Sequence, residues 1–457
     1  MNKYIILLFL NFVSLCLYAD EGYCFRIYLK DKGPSGYSLD KPEAYLSGRA
    51  IERRIRQGKE ITVSDLPISS VYLDSLSACG GVPVVVSKWF STVVIACSDS
   101  SVIEQLKKFS FVDSVKWVWK GDLDKRISVY KDSSRLEPSD SPLKSYYGYA
   151  EEQIKMLNGI KLHDAGYRGM GMEVAVIDAG FMNVDRISVF DSLNLLGTRN
   201  FVFPGESVFE DDDHGTKVLS CLAANAPGIM VGTAPDASYW LIKSEDSRSE
   251  YPIEEDYWAA AVEFADSVGV DAISSSLGYF TYDVSEMEYS PSALDGKTAF
   301  ISRAAHKAAE KGILVFCSAG NEGNGYWEKI TFPSDASDIV TVGAVTEKKK
   351  KSIFSSIGLT ADYRVKPDVV ALGSGCCVIS TRGDIHYANG TSFSTPILAG
   401  LGICLWQAFP DLNNKNIIEM LQQSASQYKR PDAELGYGIP DVYKAYKLQK
   451  KHIGRRE

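Results

Sequence analysis

Apolar and polar positions alternate in short runs over residues 20–120 and then change rhythm. CFRIYL, VPVVVSKWF, STVVIAC and FVDSVKWVW are rich in β-branched and aromatic residues, the composition of half-buried strands. Helical spacing lies at Pro42–Gln57 or Ser70–Cys79 before the middle pair, and at Ser101–Phe109 after it. The order β-α-β-β-α-β predicts a small α+β sandwich of ferredoxin-like type. Residues 121–147 then turn polar, with Lys, Asp, Ser and two Pro, which marks an exposed linker open to proteolysis.

Beyond the linker, over residues 148–449, strand and helix patterns alternate. Strands are expected at Glu173–Ile177, Tyr239–Lys243, Asp271–Leu277, Ile313–Cys317 and Ile339–Val345. Helices are expected at His214–Ala226, Glu254–Ser267, Lys297–Lys311 and Lys415–Gln423. This predicts an α/β fold: a mainly parallel, doubly wound sheet with helices on both faces. Functional groups then collect beyond the carboxyl ends of the strands. A charge-free run opens at Asn389 with NGTSFSTP. Its apolar part, Ile397–Phe409, is too short for a bilayer, which needs about 20 residues, and reads as a helix buried all round. Pro396 suits an early turn of that helix, with Ser394 and Thr395 as its caps.

Composition narrows the setting. The 457 residues are 45% hydrophobic and 23% charged, as in an ordinary globular protein. A net charge of −9 leaves no basic surplus to release counterions from nucleic acid. The Lys348–Lys351 run and the basic tail 450–457 read as solvated segments. At the N-terminus, Lys3 precedes an apolar stretch ending in Leu17-Tyr18-Ala19-Asp20. Residues 1–19 therefore read as a secretory signal peptide, which implies a secreted or periplasmic product without a transmembrane anchor in the mature chain. Leu15 is too bulky for a lipid-attachment site at Cys16. The eight other cysteines are scattered, fit neither a disulfide framework nor a CxxC site, and leave pairing unassigned.

Three polar residues fall where this architecture exposes them. Asp178 follows the strand in VAVIDAG, His214 opens a helix in DDDHGTKVLS, and Ser392 precedes one in NGTSFSTP. Each alone is an ordinary turn former or cap. Together they suit nucleophilic catalysis, in which imidazole takes the hydroxyl proton and a carboxylate holds the imidazole.

The contexts HGT, GTS-x-S-T-P and V-I-D-A-G, in the order Asp, His, Ser, resemble the subtilisin-like serine proteases (subtilases, peptidase family S8). VGTAPDASYWLIK, AISSSLG, VFCSAGNEG, FPSDASDIVTVGAV, KPDVVALG and GYGIPDVYKA follow that family's landmarks in order. The resemblance implies Ser392 as nucleophile, His214 as base then acid, and Asp178 as its orienting carboxylate. It implies Asn321 as oxyanion donor and Ser276-Leu277-Gly278 as the strand end that pairs with substrate. No cofactor is implied for the chemistry, and structural calcium is left open with no metal ligand assigned. Residues 20–120 would then be a propeptide that inhibits its own catalytic domain until cut within residues 120–147. Protein or peptide chains would be the substrates.

Two departures stand out. Lys217 occupies the place where the family commonly has a second His, and Asp211-Asp212-Asp213 is unusually acidic before His214. Those carboxylates either favour the helix start, bias His214 toward its charged form, or hold a cation. The rival readings are a catalytically silent subtilase fold used for binding and an esterase. Position 394 is Ser, so the GxSxG elbow of esterases is absent. No GxGxxG follows the first strand of the larger region.

Overall fold

The computed structural model describes residues 21–122 and 134–454. The expected leader and Cys16, linker residues 123–133 and tail residues 455–457 lie outside the described residues.

The N-terminal unit runs β1 (Glu21–Leu29), α1 (Gly48–Arg56), α2 (Ser70–Ser77), β2 (Val82–Ser87), β3 (Thr92–Cys97), α3 (Val102–Leu106) and β4 (Val112–Asp122). Its sheet is antiparallel, ordered β2-β3-β1-β4. Two short helices precede the middle strands where the sequence offered a choice of one. Ile27, Val93, Ile95 and Leu106 fill the core of this sandwich.

The second unit opens with α4 (Glu151–Lys155), α5 (Gly159–Asp164), β5 (Glu173–Asp178), β6 (Asn194–Asn200) and α6 (His214–Ala223). It continues with β7 (Asn225–Ala226), β8 (Met230–Val231), β9 (Ser238–Lys243), α7 (Ile253–Val268), β10 (Ala272–Ser275) and α8 (Phe300–Glu310). Then come β11 (Leu314–Ser318), β12 (Val340–Val345), β13 (Val369–Leu372), β14 (Cys376–Ile379), β15 (Ile385–Ala388), α9 (Thr391–Gln407), α10 (Asn414–Ser424) and α11 (Val442–Ile453).

Seven strands form one parallel sheet, β13-β12-β11-β10-β5-β9-β6. The two-residue period of a strand distributes its side chains between two cores. In β5, Val174 and Val176 join Leu222 of α6 and Ile397 and Leu401 of α9. Ala175 and Ile177 face the other way, toward Trp258 and Val262 of α7 and Ala305 of α8. From β5 the chain runs to the edge strand β6, returns to β9 beside β5, and then crosses to β10 on the other flank. The crevice between the ends of β5 and β10 is thus the switch point of the winding.

The two units meet along α7. Val85, Val94 and Trp119 pack on Ile253, Tyr257 and Ala260. Arg26 forms a two-pronged pair with Asp256, both N–O distances 2.6 Å and both side chains buried. Arg53 and Arg54 converge on Asp266, and Lys311 reaches Asp65 at 2.6 Å. Glu263 accepts from the Ser87 hydroxyl at 2.5 Å and from the N–H groups of Lys88 and Trp89 at 2.8 and 3.0 Å.

The described part of the linker, residues 134–147, lies along the larger unit. Leu136 exchanges backbone hydrogen bonds with Arg186 and Ser188, both 3.0 Å, and Leu143 donates to Gly228 at 2.8 Å. The eight described cysteines are free, and Cys376 and Cys377 are buried in the core, as packing requires.

Candidate active site

Asp178 ends β5 with its side chain wholly buried, and His214 begins α6. His214 Nδ1 lies 2.6 Å from Asp178 Oδ1, which also accepts the Ala179 N–H at 2.9 Å. A carboxylate only accepts, so Nδ1 carries a proton and the neutral ring keeps Nε2 as its acceptor. Burial works against the charged ring. The charge and hydrogen bond of Asp178, then the charges of Glu245 and Asp212, outweigh it and raise His214 to about 9. The imidazole remains 33% exposed.

The acidic run divides its work. Asp211 faces buried Lys243 at 3.1 Å, Asp212 Oδ1 accepts the His214 N–H at 2.9 Å, and Asp213 pairs with Lys217 at 2.6 Å. The three carboxylates diverge to different partners instead of converging as ligands of one cation. Lys217, the departure from the family pattern, is thereby satisfied on its own helix.

α9 starts at Thr391, earlier than the expected caps allow. Gly390 is the N-cap residue, and the Ser394 and Thr395 hydroxyls instead donate back to the Thr391 carbonyl at 3.0 and 2.8 Å. Those two side chains sit a turn inside the helix, where only carbonyls are within reach. Pro396 is the sixth helical residue, and its missing N–H strips the Ser392 carbonyl of its helical donor. The Ser276 hydroxyl takes that place, donating to Ser392 O at 2.8 Å. Ser392 Oγ lies 3.4 Å from the Ser276 carbonyl. It makes no hydrogen bond to His214, although both line one cleft. Such contacts are often loose before substrate binds.

Asn321 follows β11 at the same end of the sheet. Its Oδ1 accepts from the Thr391 N–H at 2.9 Å and from the Thr391 hydroxyl at 3.1 Å. The amide is therefore oriented with its N–H₂ end free to donate. Ser392 is in the first turn of α9, where backbone N–H groups lack intrahelical acceptors. Ser276-Leu277-Gly278 extends from β10 along the cleft. Among the described residues, neither Leu277 nor Gly278 hydrogen-bonds through its backbone.

The cleft, of about 310 Å³, is lined by His214, Ser392, Asn321 and Ser276–Gly278 together with Asp212, Glu245, Phe280, Glu322 and Thr331. A larger cavity between α10 and α11 holds none of them. Burial and then the Asp178 charge push Glu245 up to about 7. Sequence reading passed over Thr391, Glu245 and Thr331. Thr391 was signalled by its place beside Ser392 in GTS, whereas nothing local marks the other two. No group of three or more His, Cys, Asp or Glu is arranged to hold a metal among the described residues. None of their helices is long and apolar enough to cross a membrane.

Residues 169–438, well over half the chain, match the profile of the Subtilase family, Peptidase_S8. The chain belongs to the subtilase family. Residues 24–147 match a second profile, the Peptidase S8 propeptide domain of Bacteroidota. Subtilisin NAT of Bacillus subtilis subsp. natto is 31% identical over 297 residues, covering 64% of this chain and 70% of that protein. A subtilisin of Bacillus pumilus is 30% identical over 297 residues, 64% of this chain and 97% of that protein. The M-protease of Shouchella clausii (strain KSM-K16) is 31% identical over 272 residues, 58% of this chain and 61% of that protein. This subtilase is a serine-type endopeptidase with a propeptide domain, as its sequence motifs led us to expect, and its sheet has the parallel, doubly wound form expected for the fold.

Proposed function

We propose that this subtilase is a secreted, self-processing zymogen that cleaves protein and peptide chains through Asp178, His214 and Ser392. The reading is carried by one arrangement: a 2.6 Å Asp178–His214 bond opening onto the cleft that also holds Ser392 and the free amide end of Asn321. His214 Nε2 takes the Ser392 proton as Oγ attacks the scissile carbonyl, and then delivers it to the leaving amine. The Asn321 amide and the Ser392 N–H meet the developing oxyanion. Asp178 holds the tautomer that makes Nε2 the base. Water then repeats the sequence on the acyl-enzyme. Ser276–Gly278 would receive an extended substrate strand, with Leu277 and Gly278 offering their unspent backbone groups.

The propeptide is proposed to inhibit the site until cut. Trp119, near the end of β4, donates to Ser249 at 3.4 Å, in the segment of the larger unit that follows the cleft residue Glu245. Residues 134–147 already pair with the larger unit, which favours a cut before them within the 120–147 linker. The leader at residues 1–19 accounts for export.

Casein hydrolysis by wild type and Ser392→Ala, with N-terminal sequencing of the secreted product, tests the proposal. The wild type is expected to hydrolyse casein and to begin after residue 120; Ser392→Ala is expected to do neither. Hydrolysis by the Ala variant would overturn the mechanism. A correctly matured but inactive wild type would leave the silent, binding-only alternative.

A further inference from the structure

Lys243 ends β9 directly beside Asp178, its partner in the β5–β9 register, and is only 1% exposed. A buried ammonium is costly unless opposite charge and hydrogen bonds compensate it. The Lys243 Nζ donates to the Ala179 carbonyl and pairs with Asp211 at 3.1 Å. It does not line the cleft, and the chemistry proposed above gives it no part.

Its two partners belong to the two segments that carry the Asp178–His214 pair. Ala179 continues the chain from Asp178, and Asp211 lies in the loop that leads into His214 and α6. These segments meet backbone to backbone. A Cβ on Gly180 would stand 2.1 Å from the Asp211 carbonyl oxygen, and one on Gly215 would stand 2.3 Å from the Gly180 carbonyl oxygen. Glycine permits that approach but does not hold it. Lys243, rooted in a third segment, grips both sides with one cation.

We infer that Lys243 is a positioning residue: it clamps the end of β5 to the loop entering α6, and so fixes how Asp178 meets His214. The inference rests on the protease reading above and adds to it a residue outside the cleft.

The clamp also balances charge. His214 faces Asp178 from β5, Glu245 from beyond β9, Asp212 from its own loop and the uncharged Phe393 ring of α9. Asp213 is committed to Lys217. Without Lys243, Asp211 becomes one more uncompensated negative charge near the imidazole, which favours the charged ring.

Lys243→Met keeps the length of the side chain and removes its charge. In the matured full chain it is expected to lower kcat for a fluorogenic peptide by about tenfold to a hundredfold, with KM unchanged. It is also expected to move the acid limb of kcat/KM to higher pH. Adding Asp211→Asn should return the limb toward its wild-type place while kcat stays low, because charge balance is restored and the clamp is not. The kcat losses of the two single changes are expected not to add.

The hydrogen-bonded Nδ1 proton of His214 gives a reading independent of activity and maturation. In the uncut Ser392→Ala chain, Lys243→Met is expected to shift its downfield NMR resonance and raise its titration midpoint. If the buried change prevents folding, Asp211→Asn severs the clamp at its partly exposed partner. It is then expected to lower kcat with KM unchanged and to move the acid limb to lower pH. Wild-type kcat, a loss confined to KM or an unmoved Nδ1 resonance overturns the inference alone. An unmodified enzyme that cleaves no peptide overturns the protease reading, and the resonance still tests the clamp.

Discussion

The Ser276 hydroxyl donates to the Ser392 carbonyl at 2.8 Å, where Pro396 has removed the helical N–H. One residue of the cleft strand thus repairs a break in the helix that carries Ser392, the proposed nucleophile. Ser276→Ala leaves this buried carbonyl without a donor, at a cost of about 1–3 kcal/mol. The drop is expected in urea midpoints measured on the Ser392→Ala background, which removes autolysis. An unchanged midpoint would show that the helix holds its first turn without Ser276.

Thr391 fixes which end of the Asn321 amide faces the cleft. Asn321→Ala is expected to lower kcat by about 10²–10³, the usual loss for one oxyanion donor. Thr391→Val keeps the backbone contact and removes the hydroxyl, so a smaller loss is expected, in kcat and not in KM. A Thr391→Val enzyme changed only in KM would place that hydroxyl in substrate binding instead.

With His214 raised to about 9, its neutral form becomes abundant only in alkaline solution. The kcat/KM profile is therefore expected to rise with pH toward about 9. Removing a neighbouring negative charge lowers the pKa of His214, so Glu245→Gln and Asp212→Asn should move the acid limb to lower pH. Asp213→Asn should leave it in place, because that carboxylate is committed to Lys217. A limb that moves only with Asp213 would reverse the assignment.

The seam between the two units is built on buried charge, and breaking one partner of such a pair costs about 3–5 kcal/mol. Arg26→Ala is expected to weaken propeptide binding by an amount of this order, read by titration calorimetry with the separated units. Asp65 is disfavoured as an anion by burial, but Arg54 and Lys311 hold its carboxyl well below the ordinary value. A depressed carboxyl stabilises above its unfolded pKa, about 3.9, and loses that contribution as pH falls. The Asp65 contribution to the seam should therefore fade below about pH 4, so that propeptide affinity responds differently to acid in Asp65→Asn, while Asp256, raised to about 6 by burial, works in the opposite sense.

Much of this was legible because strands and helices announce themselves by period. Val174 to Ile177 alternate between two cores, and Asp178, His214 and Ser392 sit in contexts that name their surroundings. The edge strands β6 and β13 were missed as elements, and β14 and β15 lie outside the sheet. β6 is largely exposed and polar, so it lacks the apolar run that marks an inner strand. The cap at Ser394 and Thr395 was misplaced because the helix begins at residues that also read as a turn. Glu245 and Thr331 were invisible for a different reason. Each gains its meaning from residues distant in sequence that the sheet brings alongside.

While the chain is whole, the Arg26–Asp256 and Arg54–Asp266 contacts form within one molecule, as an intramolecular association whose effective concentration is independent of how much protein is present. Cutting the linker leaves every contact intact but makes the association bimolecular. Under the proposed zymogen mechanism, inhibition would from then on depend on how many copies share the surrounding volume. Such a protease would be switched on by dilution in a large volume and would stay restrained by its severed propeptide in a confined one.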